Sequence, residues 1–547
     1  MSESSVVQRL FPHDSFREGQ RETIEAIIKA LYDEGYSNVV LDAPTGSGKT
    51  SLLTTVLRYA DGGGFFSTPQ RRLREQIQND EALDPHLESL KARRDYRCKV
   101  SGRNCEKCPV YTSSDQSCSS QGPECSYWSR KMQVMNSDIA VLTFAFLIID
   151  GNIPEMNGET RVSFGDREIL ALDEAHNLAQ QVEELHAGFK ISPYSLPDDV
   201  FDGVTRSVPR DASVYDDVKE EVNQVLARCL EYIGETPPMD MTPGQKQCQS
   251  IADKIKWMHD DEGAWVADVE STFHKGEHKK VIKLTPIHVG GFLRNFVWNR
   301  ADKRIISTAT LPYRDNPSIW LQKVGLDPDD TKVINVGMKF PVENRPIHTD
   351  CMVASMSSGG FDKNIDRVLD KMNEIAKRHR KSKGLVHTAS YSRAEKIYDE
   401  VTDDDYPYLH DNMYVHERDR DADVQIEEWQ NSDYDIMLSP AMSEGVDLVE
   451  DMCRYQILAK VPYPGRGSRL EYVLDETNWG WQELQERTLI RVVQSYGRAV
   501  RSKQDRAEFY VLDSSLNKLL QRRQAPEWFL NAMDVRPPET QRSVFEY

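Results

Sequence analysis

Short apolar runs recur along this sequence, and each ends in polar or small residues. In "SNVVLDAPTGSGKTSLLTTVLRYA" such a run, Val39 to Leu41, precedes a glycine-rich turn, after which apolar residues repeat at helical spacing. Later runs of the same kind are "REILALDEAHNL", "KRIISTATL", "KGLVHTASYS", "YDIMLSPAMSEGVDL", "RYQILAKVPYP" and "AEFYVLDSS". Because strands alternate with helices, the pattern predicts an α/β protein whose parallel sheets are covered on both faces. Functional side chains are then expected at the carboxyl ends of the strands.

Two segments interrupt this pattern. The first, "CKVSGRNCEKCPVYTSSDQSCSSQGPEC", holds five of the nine cysteines and separates the glycine-rich turn from "DEAH". The second extends from about residue 184 to residue 285 and separates "DEAH" from "STATL". It contains "VKEEVNQVLARCLEYI", which has apolar residues at helical spacing, and "WVADVESTFHKGEHKKVIKL", which is typical of a hairpin. We predict that the second segment is a mostly helical insertion.

Length and charge limit the class of protein. The chain has 547 residues, enough for roughly three or four domains of about 150 residues each. Its net charge of −20 argues against a protein that coats nucleic acid through global charge, although a local basic track is still allowed. The N-terminal sequence lacks the apolar segment of a signal peptide. The most apolar run, Ile139 to Asp150, is too short to span a bilayer. We therefore expect an intracellular protein, cytoplasmic or nucleoid-associated, that does not bind membranes and whose thiols stay reduced.

The stretch "APTGSGKT" combines glycines, a lysine and a hydroxyl group where a helix begins. Glycines let backbone N–H groups approach phosphate oxygens, and the helix N-terminus adds a favourable dipole. Lys49 is predicted to reach the β- and γ-phosphates of a nucleotide, and Thr50 to hold Mg²⁺. The predicted nucleotide-binding residues of this stretch are Ala43, Gly46, Ser47, Gly48, Lys49 and Thr50.

Two later stretches carry groups suited to phosphate hydrolysis. "DEAH" follows its strand directly, so that Asp173 can hold Mg²⁺ and Glu174 can orient the attacking water. "QSYGRAVRS" places Arg498 and Arg501 three residues apart on one helix face. Guanidinium groups there can stabilise charge on the γ-phosphate.

These stretches, taken in order, resemble the superfamily 2 helicases, and specifically the iron–sulfur XPD/DinG-type DNA helicases. The segments that carry the resemblance, over nearly the whole chain, are "FREGQRE", "APTGSGKT", "STPQRRLREQI", "DEAHNL", "STATL", "HTASYS", "SEGVDL" and "QSYGRAVRS". Several motifs in the same order are far more specific than any one of them. The resemblance implies two RecA-like motor domains that bind ATP between them and step along one DNA strand with 5′-to-3′ polarity.

The resemblance also assigns roles to residues outside the phosphate site. Gln20 matches the glutamine that reads adenine. Gly445 and Asp447 in "SEGVDL" are expected to couple the nucleotide state to the binding of the DNA strand. Ser390 and Tyr391 are expected to contact DNA. The expected cofactors are ATP, Mg²⁺ and a [4Fe–4S] cluster. The expected partners are single-stranded and forked DNA, and the expected state is a monomer.

The cysteine segment lies where this family carries its cluster. By resemblance the iron ligands are Cys98, Cys105, Cys108 and Cys125, with Cys118 as a competing fourth ligand. Four thiolates suit iron–sulfur and zinc equally well by ligand type, so the choice of iron rests on the resemblance. The remaining cysteines are predicted to be small buried residues, namely Cys229, Cys248, Cys351 and Cys453.

The residues before the cluster are locally basic. "KARRDYRCK" carries Lys91, Arg93, Arg94, Arg97 and Lys99 around Tyr96, and "RRLR" (71–74) adds more positive charge. Cations bind phosphates and an aromatic ring can stack on a base, so this part is a candidate strand-binding surface. By analogy with the family, a stiff cluster domain at the strand entry would act as a wedge that splits the duplex.

The resemblance predicts six consecutive segments. They are motor domain 1 (1–96), the Fe–S domain (97–126), motor domain 1 continued (127–184), an arch-like helical insertion (185–285), the end of motor domain 1 (286–325) and motor domain 2 (326–547). Three other functions compete with a DNA helicase: an RNA-directed "DEAH" enzyme with a zinc site, a non-catalytic nucleic-acid-binding protein with a metal module, and a redox sensor that uses the cluster as its switch.

Overall fold

A computed structural model describes residues 3–533, apart from some short gaps. These gaps are 70, 81, 84–85, 100–101, 103, 105–124, 152–162, 184–186, 203–207, 210–211, 238–239, 262, 358, 441–447, 449 and 466. Within the described residues, no helix combines the length and the apolar character needed to cross a membrane.

The first sheet consists of seven parallel strands in the order β10-β1-β9-β5-β2-β4-β3. Its strands are β1 (Asn38–Asp42), β2 (Gly64–Thr68), β3 (Glu88–Ser89), β4 (Ile139–Thr143), β5 (Arg167–Leu172), β9 (Ala301–Thr308) and β10 (Thr331–Asn335). Every residue of β1 and β2 is buried, as expected for inner strands covered by helices on both faces. Because all of these strands run in the same direction, the segments that follow β1, β2, β5 and β9 meet at one edge of the sheet.

The second sheet has six parallel strands in the order β11-β16-β15-β12-β14-β13. Its strands are β11 (Ile347–His348), β12 (Gly384–His387), β13 (Met413–Val415), β14 (Ile436–Ser439), β15 (Tyr455–Leu458) and β16 (Glu508–Val511). The prediction of an α/β fold built on two parallel sheets is confirmed.

The second interruption of the pattern contains the third sheet, which has the antiparallel order β6-β8-β7. Its strands are β6 (Phe189–Ile191), β7 (Trp265–His274) and β8 (Glu277–Pro286), and β7 and β8 form the expected hairpin. Two long helices, Lys219–Ile233 and Pro243–Asp260, pack on this sheet through a separate apolar core. The insertion is therefore mostly helical, with a three-stranded sheet at its base.

The predicted boundary between the motor domains, after residue 325, lies too early. Strand β10 (Thr331–Asn335) pairs in parallel with β1 along its whole length and is the edge strand of the first sheet. The division between the two sheets therefore falls after Asn335. Only Thr331 of this strand is buried, and Val333 and Asn335 are exposed, so its apolar pattern is weaker than that of the inner strands.

The helices of the first sheet and of the insertion are Glu3–Leu10, Gln20–Ile28, Lys49–Tyr59, Arg71–Asn79, Ser126–Met135, Phe144–Gly151, Leu178–Val182, Asp198–Phe201, Lys219–Ile233, Pro243–Asp260, Gly290–Phe296 and Pro317–Lys323. Those of the second sheet are Gly360–Lys363, Ile365–Arg378, Tyr391–Glu400, Pro407–Asn412, Ala422–Asn431, Ser468–Glu476, Gly480–Tyr496, Ser515–Arg522 and Glu527–Leu530. Helices cover both faces of each parallel sheet, so that each sheet has apolar cores on its two sides.

Candidate active site

The phosphate loop connects β1 to the helix Lys49–Tyr59. Gly46 and Gly48 have φ values of +80° and +78°, a conformation that residues with a Cβ atom rarely adopt. A Cβ atom on Gly46 would also collide with the ring of Phe340. The loop is anchored by the N–H of Ala43, which donates to the Thr308 carbonyl at 2.9 Å. The sequence therefore forms a tight turn whose glycines have no side chains of their own where a phosphate would approach.

Gln20 contacts this loop. Its side-chain amide donates to the Ser47 carbonyl at 3.2 Å, and its carbonyl accepts from the Arg17 N–H at 2.8 Å. The Gln20 side chain is 4 % exposed, so these bonds hold it in one orientation. The structure thus places the predicted adenine-reading residue beside the phosphate loop.

Lys49 and the carboxylates after β5 form a buried cluster. The Lys49 Nζ lies 2.5 Å from Glu174 Oε1 and 4.0 Å from Asp173 Oδ1. The Asp173 N–H donates to the Ser67 carbonyl of β2 at 2.9 Å, which fixes the turn that follows β5. Glu174 has a φ value of +54°, which is uncommon for a residue with a side chain. Strained backbone of this kind is frequent at functional sites.

Burial and charge act differently on the three titratable groups of this turn. Burial, reinforced by the charge of Glu174, raises the pKa of Asp173 to about 6, although Lys49 opposes the shift. Burial also acts to raise the pKa of Glu174, but the charge of Lys49, its closest cation, contributes most to lowering that pKa to about 2. Burial lowers the pKa of His176 to about 4. At neutral pH Glu174 is therefore an anion and His176 is uncharged.

The second sheet completes the cluster from the opposite side. The Thr45 hydroxyl donates to the Gly497 carbonyl at 3.2 Å, and the Gln494 amide contacts the His176 ring. Arg498 is 7 % exposed, and its charge helps to lower the pKa values of Glu174 and His176. Lys49 and Arg498 consequently share one cleft between the two sheets, as the interpretation of the sequence required.

Arg501 also lies at this cleft. A Cβ atom added to Gly46 would come within 3.1 Å of the Arg501 carbonyl, so the backbones of the phosphate loop and of "GRAVR" are in close contact. Thr50 lies in the first turn of the helix Lys49–Tyr59 and is partly exposed. The structure thus brings the predicted groups Lys49, Thr50, Asp173, Glu174, Arg498 and Arg501 to one location.

Comparison with known proteins supports the same assignment. Residues 373–533 match the family described as "Helicase C-terminal domain", and residues 13–192 match "Type III restriction enzyme, res subunit". The "ATP-dependent DNA helicase DinG" of Photobacterium profundum is 23% identical over 270 residues, which are 46% of this chain and 37% of that protein. A solved XPD helicase superimposes with a TM-score of 0.59 at 17% identity, over 95% of this chain and 98% of that one. These matches make the chain similar to the XPD/DinG-like helicases of superfamily 2.

A second structural relative of this XPD/DinG-like chain is S. tokodaii Xpd4. It superimposes with a TM-score of 0.56 at 15% identity, covering 92% of this chain and 97% of the other. At such identities the two superpositions establish the fold. The matched part of the DinG relative is well under half of that protein's length.

Residues that the sequence interpretation missed also line the cleft of this XPD/DinG-like chain. No role was predicted for Thr45, His176 or Gln494, yet they make contacts that join the two sheets. All three lie inside the quoted motifs. The available signal was therefore their position in "APTGSGKT", "DEAH" and "QSYGRAVRS", since nothing in their local periodicity marks them.

The predicted DNA-contacting residues follow β12. Ser390 and Tyr391 lie at the start of the helix Tyr391–Glu400. Arg393 donates to the Ser390 hydroxyl at 2.9 Å, and the Arg418 guanidinium lies 5.3 Å from the centre of the Tyr391 ring. Two cations that the sequence interpretation did not single out therefore flank the predicted pair.

The structure revises the basic surface before the cluster segment. Arg93 stacks on the Tyr127 ring at 4.3 Å, and Tyr96 packs edge-on against the same ring at 5.5 Å. Arg74 is 2 % exposed and donates to the Leu90 carbonyl at 2.7 Å. Arg74 is therefore a buried structural residue, whereas Arg93 and Tyr96 are partly exposed and pack against the buried Tyr127. The side chains that do face solvent here are those of Arg94, Arg97 and Lys99.

Two of the four predicted cluster ligands lie in the described part of the chain. Cys98 is partly exposed, and Cys125 is buried at the start of the helix Ser126–Met135, where its sulfur accepts from the Trp128 N–H at 3.5 Å. Cys105, Cys108 and Cys118 lie outside the described residues, as do Gly445 and Asp447. Thiolate ligands suit an iron–sulfur cluster and zinc alike. The burial predicted for Cys229, Cys248, Cys351 and Cys453 is confirmed.

Proposed function

We propose that this chain is an ATP-dependent DNA helicase that moves along single-stranded DNA with 5′-to-3′ polarity and separates the duplex at a fork. The observation that carries the proposal is the cleft between the two sheets, where Lys49 pairs with Glu174 and the Thr45–Gly497 hydrogen bond brings the buried Arg498 alongside. A site assembled from two domains changes whenever they move, which is what a motor driven by ATP requires. The DNA helicase activity named for the DinG relative supports DNA as the substrate.

In this proposal Lys49 would bind the phosphates of ATP. Its ammonium group is paired with Glu174 at 2.5 Å in a pocket where only 8 % of the lysine side chain is exposed. The γ-phosphate carries more negative charge than one carboxylate, so it would draw Lys49 away from Glu174. The freed carboxylate would then orient the attacking water and accept its proton more readily, because Lys49 would no longer lower the pKa of Glu174.

The donor set fits a divalent cation. Asp173 is a buried carboxylate whose pKa is raised mainly by burial, so a nearby cation would restore its charged form. Thr50 adds a hydroxyl group from the first turn of the helix that follows the phosphate loop. Asp173 and Thr50 would hold Mg²⁺, and that ion neutralises charge on the β- and γ-phosphate oxygens.

Arg498 and Arg501 would complete the site on closure of the two domains. Arg498 is buried at the cleft, where its guanidinium group can bind the oxygens that gain charge as the γ-phosphate leaves. The Thr45–Gly497 and His176–Gln494 contacts hold the helix that leads to Arg498 against the phosphate loop and against "DEAH". Movement of the second domain would therefore remove both arginines from the phosphates.

The proposed DNA path follows the carboxyl ends of strands other than β1, which carries the phosphate loop. In the first domain these are the ends of β2 and β4, and in the second domain Ser390 and Tyr391 after β12. Arg393 and Arg418 supply positive charge beside that pair in a chain whose net charge is −20. Local cations of this kind can hold a phosphate backbone even though the whole protein is acidic.

Directional unwinding tests this function. The full chain, purified without oxygen, is expected to unwind a DNA duplex that carries a 5′ single-stranded tail and to leave a duplex with a 3′ tail intact. RNA duplexes with the same tails are the matched substrates. Unwinding only from 3′ tails would refute the proposed polarity, and a preference for RNA would refute DNA as the substrate. ATP hydrolysis that no nucleic acid stimulates would refute the helicase itself.

The proposed [4Fe–4S] cluster has a separate test. Cys98, Cys105, Cys108 and Cys125 are expected to hold iron, so protein purified without oxygen should show a visible absorption band and about four irons per chain. Cys125→Ser is expected to lose the band and most of the iron. Cys118→Ser is the matched control and should keep both. Stoichiometric zinc without visible absorption would contradict the iron–sulfur cluster. Loss of iron in Cys118→Ser but not in Cys125→Ser would show that Cys118, and not Cys125, is the fourth ligand.

A further inference from the structure

A buried ion network joins the two motor domains next to the candidate active site. Glu183 and Lys323 come from the first domain, and Arg469, Glu483 and Arg487 come from the segment between β15 and β16 of the second. We call these five residues the clasp. Each of their side chains is at most 19% exposed, which is unusual for so many charged groups in one place.

The contacts of the clasp cross the domain boundary in both directions. Glu183 pairs with Arg469 at 3.0 Å and with Arg487 at 2.8 Å, both from the other domain. Glu483 pairs with Lys323 of the first domain at 2.9 Å. Within the second domain, Glu483 also pairs with Arg469 at 2.7 Å and with Arg487 at 2.5 Å. The two glutamates thus share the same arginines, so the network is complete only when the domains are together.

The clasp is connected to the catalytic elements on both sides. Glu183 directly follows the helix Leu178–Val182, which begins after "DEAH". Arg487 lies on the helix Gly480–Tyr496, which also carries Gln494 and leads into Arg498. A cleft of about 650 Å³, counting its open mouth, is lined by both His176 and the clasp residues. A shift of the clasp would therefore move the two halves of the active site relative to each other.

The insertion is attached at the same place. The Arg469 guanidinium donates to the Ile287 carbonyl at 2.6 Å and 3.1 Å, and the Ser468 hydroxyl donates to Asp268 of β7 at 2.7 Å. An apolar cluster adds to these contacts. Its members are Val266 of β7 and Ile287 directly after β8, together with Leu470, Val473, Leu474 and Leu484 from the second domain. The base of the insertion thus rests on the second motor domain.

Buried ion pairs specify geometry more than they add stability. Burying a pair costs about as much desolvation free energy as the attraction returns, whereas a buried charge that loses its partner is strongly unfavourable. When the domains separate, water enters the cleft and hydrates both glutamates, so opening is inexpensive. When they close, only the register that pairs Glu183 and Glu483 correctly is allowed. A motor that opens and closes in every cycle needs this combination.

We propose that Glu183, Lys323, Arg469, Glu483 and Arg487 are positioning residues that set the register of domain closure and so bring Arg498 to the phosphate site. This inference rests on the proposed ATP-driven function and adds to it the device that aligns the two halves. Within the part of the chain that the structure describes, the ion pairs of the clasp do not include Lys49, Asp173 or Glu174. They act through the helix Gly480–Tyr496.

The test uses Glu183→Gln, which keeps the size of the side chain and removes its charge. The kcat of strand-stimulated ATP hydrolysis is expected to fall roughly 10- to 100-fold, because small misplacements of a catalytic group have effects of this size. The KM for ATP should change much less, since the phosphate loop belongs to the first domain. Glu183→Asp keeps the charge and should restore part of the rate. Glu476→Gln, an exposed glutamate of the second domain, is the matched control.

A second measurement is independent of hydrolysis. Small-angle X-ray scattering of the full chain is expected to show a smaller radius of gyration when ADP and beryllium fluoride are added, and Glu183→Gln and Arg487→Gln should lose that compaction. Wild-type kcat and wild-type compaction in both variants would overturn the clasp, as would a lower melting temperature with kcat unchanged. A wild-type chain that hydrolyses no ATP would overturn the proposed function instead. The scattering comparison between the wild type and the two variants would still test whether the clasp is needed for domain closure.

Discussion

Lys49→Ala is expected to lower strand-stimulated ATP hydrolysis by roughly 10³-fold or more, because it removes the buried ammonium group that faces both carboxylates of "DEAH". The loss should appear in kcat at saturating ATP and should also abolish unwinding. Single-stranded DNA binding without nucleotide should persist, since the proposed DNA path does not include Lys49. Phosphate release at saturating ATP, with and without a DNA strand, measures the effect.

The control for this variant is Lys29→Ala. Lys29 lies in the same domain, its side chain is 64% exposed, and it pairs with Glu34 at the surface. We expect wild-type hydrolysis from it, because exposed ion pairs contribute little. Lys49→Ala leaves Glu174 without its closest cation, so a thermal melt must accompany the assay. Hydrolysis within a few-fold of wild type in a folded Lys49→Ala protein would show that this cleft is not the site of ATP hydrolysis.

Arg498→Ala is expected to lower kcat by roughly 10²- to 10³-fold, with little change in the affinity for ATP. The reason is that an arginine at this position meets charge that develops only as the γ-phosphate leaves. Arg498→Lys should recover part of the rate, because it keeps the positive charge but lacks the planar guanidinium group that binds two oxygens. Binding of a fluorescent ATP analogue and steady-state hydrolysis separate affinity from rate.

Arg378→Ala is the matched control on the second domain. Arg378 lies on the helix Ile365–Arg378, 53% of its side chain is exposed, and it pairs with Glu374 at 3.6 Å. Its removal should leave both kcat and KM unchanged. If Arg498→Ala raised KM in proportion to the loss of kcat/KM and left kcat intact, Arg498 would be a ground-state binding residue, and the arginine-finger role would be rejected.

These two variants and the clasp probe different parts of one cycle. The Lys49 variant tests chemistry within the first domain, and the Arg498 variant tests the contribution of the second domain to hydrolysis. The Glu183 variant tests whether the two domains close in the correct register. A loss of kcat shared by Arg498→Ala and Glu183→Gln, with a loss of compaction only in Glu183→Gln, would separate chemistry from closure.

Local order along the chain was sufficient to predict most of the fold. Inner strands such as β1 and β5 are continuous apolar runs because helices cover both of their faces, and this leaves a pattern that can be read without coordinates. The phosphate loop could also be predicted, because its glycines, lysine and hydroxyl group lie close together in the sequence and their geometry is local. The edge strand β10 was assigned to the wrong domain because its exposed side dilutes the apolar signal.

Contacts between distant residues were decided by the packing of the two domains. His176 and Gln494 are separated by 318 positions, and Glu183 and Arg487 by 304, yet each pair is in contact. Apolar periodicity tells which face of a helix is buried, but it does not tell which charged residues will meet once two buried faces come together. Arg74 shows the converse, because a residue typical of a strand-binding surface is buried and bonds to the Leu90 carbonyl. Short stretches of sequence thus determine which chemical groups each domain brings to the site. How the groups of the two domains meet depends on long-range packing, which the sequence pattern does not show.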